Sequence, residues 1–331
     1  MVTQQQKPDF HVLEDSDALW LDGSDLVHSL RQTPRRIPSY YGYDKIGSEL
    51  FDAITGLPEY YLTSTEYRLL QEHASDVADQ AASCDWVIEL GSGSAKKTRL
   101  LLGEISKRRQ TTFLPIDVSR EMLETSSRGL LKDIPGLAVT GLVGRWETGL
   151  DWVSANRGER SCLLVFLGSG LGNMLPDERR ELLERLAAFC SPGDFFLVTA
   201  DLEKPIEELE RAYNDPPGSD LWGRFRLNRL ELLNSLFDGD FDLKRYYERC
   251  HYDPRTSTIE ARVYASEPQL VKLRRLGLEL RMTRGESFVV DYSFKFWRPE
   301  FVDELTGHGF VLADEWINGP RQYGVFLLRK R

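Results

Sequence analysis

The chain has 331 residues, of which 41% are apolar and 28% charged, and a formal net charge of −10. That is enough chain for one large domain or two modest ones, with ordinary globular composition. The acidic balance argues against nucleic acid as the main partner, because phosphate binding needs clustered Lys and Arg. The basic runs Arg35-Arg36, Lys107-Arg108-Arg109 and Lys272-Leu-Arg-Arg275 are short and scattered.

In chain order, the first eight residues, with three successive glutamines, read as a loose tail. The first 64 residues precede any strand of a parallel sheet. From about residue 85 strands and helices alternate. Val87–Leu90 is a strand, Lys97–Lys107 a helix and Thr112–Ile116 a second strand. Ser119 caps an amphipathic helix. Leu137–Leu142 is a third strand, and Cys162–Leu167 is an apolar fourth, of the kind buried on both faces of a parallel sheet. Pro176–Phe189 is helical and Phe195–Ala200 a fifth strand. Asp201–Arg298 breaks the alternation. It holds helical Pro205–Asn214 and Leu227–Phe237, then strands at Thr258–Ala265, Glu279–Arg284 and Ser287–Phe296. Pro299–Gly307 is a helix, and Phe310–Trp316 with Tyr323–Leu328 forms a closing hairpin. Five parallel strands and a terminal antiparallel hairpin predict the α/β, Rossmann-like class I methyltransferase sheet of seven strands. An inserted α+β substrate domain completes the expectation. The division is 65–203 with 296–331 for the cofactor, and 1–64 with 204–295 for the substrate.

Glu89-Leu-Gly91-Ser-Gly93 lies at the first strand-to-helix turn. Its glycines let the backbone approach a ligand, and the helix start beyond favours negative charge. Asp117, at the end of the next strand, is placed to accept ribose hydroxyls. The spacing lacks a third glycine, so S-adenosylmethionine (SAM) fits better than a dinucleotide. A plain structural turn is the bland alternative, as is a strand-end cap for Asp117. Cys84, Cys162, Cys190 and Cys250 show no zinc spacing and read as reduced, buried thiols. No metal is expected. No signal peptide and no apolar run of roughly 18 residues is visible, so a cytoplasmic protein without membrane contact is expected, with a monomer favoured.

Several separated blocks carry a resemblance. They are Tyr43-Asp-Lys-Ile-Gly-Ser-Glu-Leu-Phe-Asp, Leu57-Pro-Glu-Tyr-Tyr, Thr65-Glu66, Glu89-Leu-Gly-Ser-Gly, Pro115-Ile-Asp-Val, Val165-Phe-Leu-Gly-Ser-Gly-Leu-Gly-Asn-Met, Arg211-Ala-Tyr-Asn-Asp and Ser293-Phe-Lys-Phe. From about residue 25 to 330 the chain resembles the histidine-specific, SAM-dependent methyltransferases, which include the ergothioneine-pathway histidine Nα-methyltransferase. The resemblance implies cofactor contacts from Tyr43, Gly91, Lys97 and Asp117, beside Gly93 of the glycine turn. It implies substrate contacts from Tyr60, Asn173 and Tyr213. Asn173, and Tyr43 through water, are the candidates for orienting the reacting amine.

Lys97 would neutralise the methionine carboxylate of SAM; otherwise it is a solvated helix lysine. Asn173 can accept from an amine without adding charge; otherwise it forms an Asx turn before Pro176. Tyr60 and Tyr213 are substrate donors or core aromatics. Three positions depart from the family pattern. Arg145 stands where an acid accepts from the adenine amine, leaving the adjacent Trp146 to stack on adenine. Asp291 replaces a Glu that, with Ser293, grips the imidazole, and Ala261 replaces a bulky Met. Both of the latter changes imply a roomier pocket; otherwise Asp291 is an exposed strand acid. The expected activity is Nα-methylation of a free amino acid, L-histidine first, up to the trimethylated betaine. The product of the cofactor would be S-adenosylhomocysteine. A larger substrate of the tryptophan type, or a SAM-binding protein without catalysis, are the alternatives.

Overall fold

The computed structural model describes residues 7–14 and 21–331. Part of the glutamine-rich tail, residues 1–6, lies outside the described residues. The main sheet contains β1 (Asp9–Val12), β2 (Trp86–Leu90), β3 (Thr112–Asp117), β4 (Ala138–Val143), β5 (Cys162–Phe166), β6 (Phe195–Asp201), β12 (Phe310–Asn318) and β13 (Tyr323–Lys330). Its order is β1-β4-β3-β2-β5-β6-β13-β12. The strands β1 to β6 pair in parallel, and β13 and β12 close the sheet antiparallel. The expected seven strands are therefore all present, and an eighth is added.

The addition corrects the placement of the first 64 residues wholly outside the sheet. Strand β1 is four residues long and half exposed, too short to announce itself by alternation. It docks because Gly141 of β4 has no side chain. A Cβ there would lie 2.5 Å from the Phe10 ring.

Alternation within β2 sorts the core. Val87 joins one apolar layer, and Ile88 and Leu90 join the other. The first layer is covered by α3 (Tyr61–Gln80) and α4 (Thr98–Ser106), through residues such as Leu69, Val77, Leu101 and Ile105. The second is covered by α6 (Trp146–Asn156), α7 (Pro176–Phe189) and α10 (Arg298–Gly307), through Leu150, Leu182, Leu186 and Phe301. Helix α5 (Arg120–Asp133) begins as expected at Ser119, whose Oγ accepts from the Met122 N–H at 3.3 Å.

The inserted block forms α8 (Ile206–Ala212), α9 (Leu221–Phe237) and a three-stranded antiparallel sheet. That sheet is β7 (Tyr246–Asp253), β8 (Thr258–Ala265) and β11 (Ser287–Phe294), in the order β11-β8-β7. Beside it lies the hairpin of β9 (Gln269–Leu273) and β10 (Leu278–Met282). The N-terminal segment joins this lobe. Its helices α1 (Ser24–Arg31) and α2 (Lys45–Thr55) precede α3, and α2 packs on α9. Residue Arg36 bridges Val289 of β11, with the Ile37 N–H donating to the Val289 carbonyl at 2.9 Å.

Helix α9 starts six residues earlier than its periodicity predicts. Asp215, upstream of the helix, accepts from the N–H groups of Trp222 at 3.0 Å and Gly223 at 2.9 Å. A distant carboxylate thus supplies the cap that local sequence lacks.

Candidate active site

Strand β2 pairs with β3 on one side and β5 on the other, so the chain changes direction across the sheet at β2. A crevice opens at the carboxyl ends of such strands. The glycine turn sits there. Gly91 and Gly93 have φ of +64° and +49°, and a Cβ on either would meet nothing within 4 Å. The left-handed backbone calls for glycine, and the open space above it leaves room for a ligand. The Asp117 carboxylate accepts from the Gly93 and Ser119 N–H groups, each at 2.9 Å. It therefore braces the turn, and each oxygen keeps a lone pair for a further donor. Burial raises its pKa, against those backbone bonds.

Behind the turn, Glu89 is buried. The Thr98 hydroxyl donates to Oε1, while among the described residues Oε2 has no partner, and neither has Oγ of buried Ser92. Burial pushes the Glu89 carboxyl up to about 8, opposed by Thr98 and Lys97. Orphaned buried polar atoms beside an open glycine cradle fit a polar ligand with a ribose and an amino-acid tail. Lys97 caps α4 and is not a solvated lysine. Its ammonium pairs with the buried Glu66 carboxylate, which also accepts from the Gly168 N–H at 2.7 Å and the Thr199 hydroxyl at 2.9 Å. Lys96 is the exposed neighbour and pairs with Asp52.

Trp146 opens α6, with the Arg185 guanidinium 5.8 Å from its ring centroid. Arg145 precedes it. Its backbone N–H donates to Glu14 at 2.7 Å, and its Nε lies 3.4 Å from the same carboxylate. The Thr148 hydroxyl also donates to Glu14 at 2.9 Å. An acid missing from position 145 thus stands beside it, delivered by the residues following β1. No local signal in the sequence joins Glu14 to Arg145, 131 positions away.

The other predicted residues gather in the lobe above. Tyr43 follows a 3-10 turn at Ser39–Gly42 and stands edge-on to Phe51 at 5.4 Å and Phe225 at 5.5 Å, with 41% of its surface exposed. Tyr60 meets Tyr213 at 5.8 Å and Trp222 at 5.6 Å, both edge-on. Burial keeps the Tyr60 and Tyr213 phenols well above the ordinary range, hence as neutral hydroxyls. Phe51, Trp222 and Phe225 complete this aromatic wall and are absent from the sequence-based set.

The Tyr213 hydroxyl and Ser293 Oγ are 2.8 Å apart, and Lys295 Nζ donates to both at 2.8 Å. Lys295 is buried and pairs with Asp201 at 2.8 Å. Asp201 also holds Lys204 at 2.5 Å and accepts from the Tyr61 hydroxyl at 2.8 Å. Burial lowers the pKa of both lysines, against the attraction of Asp201. Lys295 lies inside the quoted Ser293-Phe-Lys-Phe block, the one signal that could have found it.

Asn173 ends a 3-10 turn after β5. Its side chain forms no hydrogen bond within the described residues, so the Asx turn before Pro176 is not made. Asn173 and Asp291 line one cavity together with Arg36, Ile37, Ser39 and Tyr292. Ala261 is buried on β8 directly opposite Asp291, beside the bulge between Val289 and Asp291. Asp291 is neither an exposed acid nor a free one. Arg229 of α9 holds both its oxygens. Among the described residues, no group of three or more His, Cys, Asp or Glu side chains is placed to hold a metal ion, and no helix is long and apolar enough to cross a membrane. All four cysteines are free and buried.

Residues 22–330 match the family described as histidine-specific methyltransferase, SAM-dependent. The chain is 34% identical to the histidine N-alpha-methyltransferase of Mycobacterium tuberculosis, over 97% of this chain and 98% of that one. It is also 34% identical to the Mycolicibacterium smegmatis enzyme of the same name, over 92% and 93%. To the N-methyltransferase fsqC of Aspergillus fumigatus it is 30% identical, over 90% and 81%. With a glycine cradle at the sheet's turning point and this full-length similarity, the chain belongs to the family of histidine-specific, SAM-dependent methyltransferases.

Proposed function

We propose that the chain methylates the α-amine of free L-histidine, the type of step carried in the names of its mycobacterial relatives. The reading rests above all on the match of residues 22–330 to the histidine-specific family. Asn173 and Asp291 also line one small cleft, which sets an amine acceptor near a side-chain acceptor. Residues 65–203 and 296–331, with β1 added, form the cofactor domain. The rest of 1–64 and 204–295 form the substrate domain.

Gly91, Gly93, Lys97, Asp117 and Trp146 hold SAM, and Glu14 stands in near Arg145 for the acid that position 145 lacks. When bound, SAM supplies an electrophilic methyl group that passes from sulfur to the amine nitrogen, with sulfur keeping the bonding electron pair. Tyr60 and Tyr213 donate to the α-carboxylate, and the Lys295 ammonium behind Tyr213 adds positive potential. Asn173 and Tyr43 orient the amine as its neutral form, whose lone pair makes the attack. A carboxylate at position 173 would hold that amine protonated. Positioning and exclusion of water carry the rate, and the proton released on nitrogen passes to solvent. Asp291 accepts from the imidazole N–H, the Ser293 hydroxyl donates to the other ring nitrogen, and Ala261 leaves the ring room.

The test is a set of reactions with SAM and each of the twenty amino acids, read by mass spectrometry for steps of one, two or three methyl groups. Histidine should give the highest turnover. SAM-dependent thermal stabilisation with no methylated product from any amino acid overturns the reading in favour of a non-catalytic SAM-binding protein.

A further inference from the structure

Asp291 is the only predicted side-chain contact that carries a formal charge, and its surroundings determine what that charge does. Arg229 lies on α9 and is fully buried. Its Nη2 donates to both Asp291 oxygens, at 2.8 and 2.9 Å, and its Nη1 donates to the Phe225 carbonyl at 3.3 Å. The guanidinium stacks over the Phe225 ring, 4.7 Å from its centroid. Its other neighbour is Gly42, where a Cβ would sit 2.6 Å from the guanidinium carbon. The arginine is thus fixed in place by a ring, a glycine and a carbonyl, with its charge directed at Asp291. The Asp291 side chain remains 26% exposed, so its oxygens keep lone pairs open to a substrate.

Resting on the functional reading above, we propose that Arg229 is a positioning residue that cancels the charge of Asp291, so that the pocket takes the histidine ring as neutral imidazole and excludes imidazolium. A lone carboxylate at hydrogen-bond distance favours the cation. A carboxylate already paired with a buried guanidinium offers an acceptor without a net charge. The remaining groups around Asp291 do not restore a net negative charge. From α9, Arg226 is paired with Glu248 of β7. The Tyr43 and Tyr213 phenols are neutral, and the Cys250 thiol of β7 is pushed up to about 12 by burial. Lys295 is cationic and held by Asp201. Neutral-ring binding keeps aromatic amino acids without a titrating ring close in affinity, so discrimination rests on the hydrogen bonds of Asp291 and Ser293.

The test compares kcat/KM for histidine with kcat/KM for the best-accepted amino acid whose side chain does not titrate, from pH 5.5 to 9. The α-amine is common to both, so its protonation cancels in the ratio. For the native protein the ratio should be level above a pH of about 6.5, the ordinary imidazole pKa. Below that it should fall about tenfold per unit, because free histidine becomes imidazolium. Arg229→Gln removes the cation and keeps a donor. Its ratio should stay level or rise as the pH falls, and Arg229→Lys should restore the native fall. A native ratio that is level or rises at low pH overturns the inference without any variant. So does an Arg229→Gln profile that matches the native one. Either result leaves histidine methylation standing, whereas no turnover on any amino acid overturns both.

Discussion

Replacing Asp201 by Asn tests whether one buried carboxylate supports the substrate lobe. Asp201 is fully buried, and its charge faces Lys295 at 2.8 Å and Lys204 at 2.5 Å, both themselves buried. The variant keeps the shape and removes the only carboxylate partnering either ammonium among the described residues. Breaking a buried ion pair by removing one partner costs about 3–5 kcal/mol. At roughly 2 °C per kcal/mol for a chain of this length, the unfolding temperature should drop by about 6–10 °C near neutral pH.

The sign of the pH dependence follows from the lysines. Burial already lowers their pKa in the folded protein, and only Asp201 opposes it strongly. Without Asp201 both pKa values fall further. The folded variant then binds fewer protons than the unfolded chain, so its stability rises with pH. The deficit relative to the native protein should be full below the depressed lysine pKa. It should shrink towards the unfolded lysine value of about 10.4. Thermal unfolding of both proteins at pH 7 and pH 9.5, taken as a difference, reads this directly. A deficit below about 1 kcal/mol at pH 7, or one that grows at pH 9.5, refutes the ion-pair argument.

Three other changes probe the two ends of the crevice. Gly91→Ala forces an L-residue to φ +64° and projects a methyl group into the cradle; it should cost about 1–2 kcal/mol of stability and weaken SAM in calorimetry, while unchanged SAM affinity would place the cofactor elsewhere. Asn173→Ala should weaken histidine binding more than SAM binding, and equal losses of both would contradict its role at the amine. Glu89 carries a folded-state pKa raised to about 8, so the folded protein holds a proton that the unfolded chain releases from about pH 4.3. That contribution is present at low pH and is lost as the pH rises to about 8. Glu89→Gln should therefore raise the unfolding temperature of the SAM-free protein more at pH 8 than at pH 5, and a gain confined to pH 5 would refute the assignment.

The cofactor half of the protein is legible from sequence because its signals are local. A short strand buried on both faces, two glycines with positive φ and Asp117 at the next strand end all lie within about thirty residues. The helix bounds from Pro176 to Phe189 follow from a 3.6-residue period and a proline at the start. The substrate half is less legible because its partners are remote. Asp215 caps α9 across a turn, and Arg229 of α9 reaches Asp291 of β11 from 62 positions away.

Sequence alone determined the class of fold, the place of the glycine cradle and the family, since each depends on short-range pattern or on motifs read along the chain. The tertiary structure decided the charges. Glu14 meets Arg145, Glu66 meets Lys97, Asp201 meets Lys295 and Arg229 meets Asp291. An ion pair depends on distance and burial, and neither is written in the spacing of residues thirty-one to 131 positions apart.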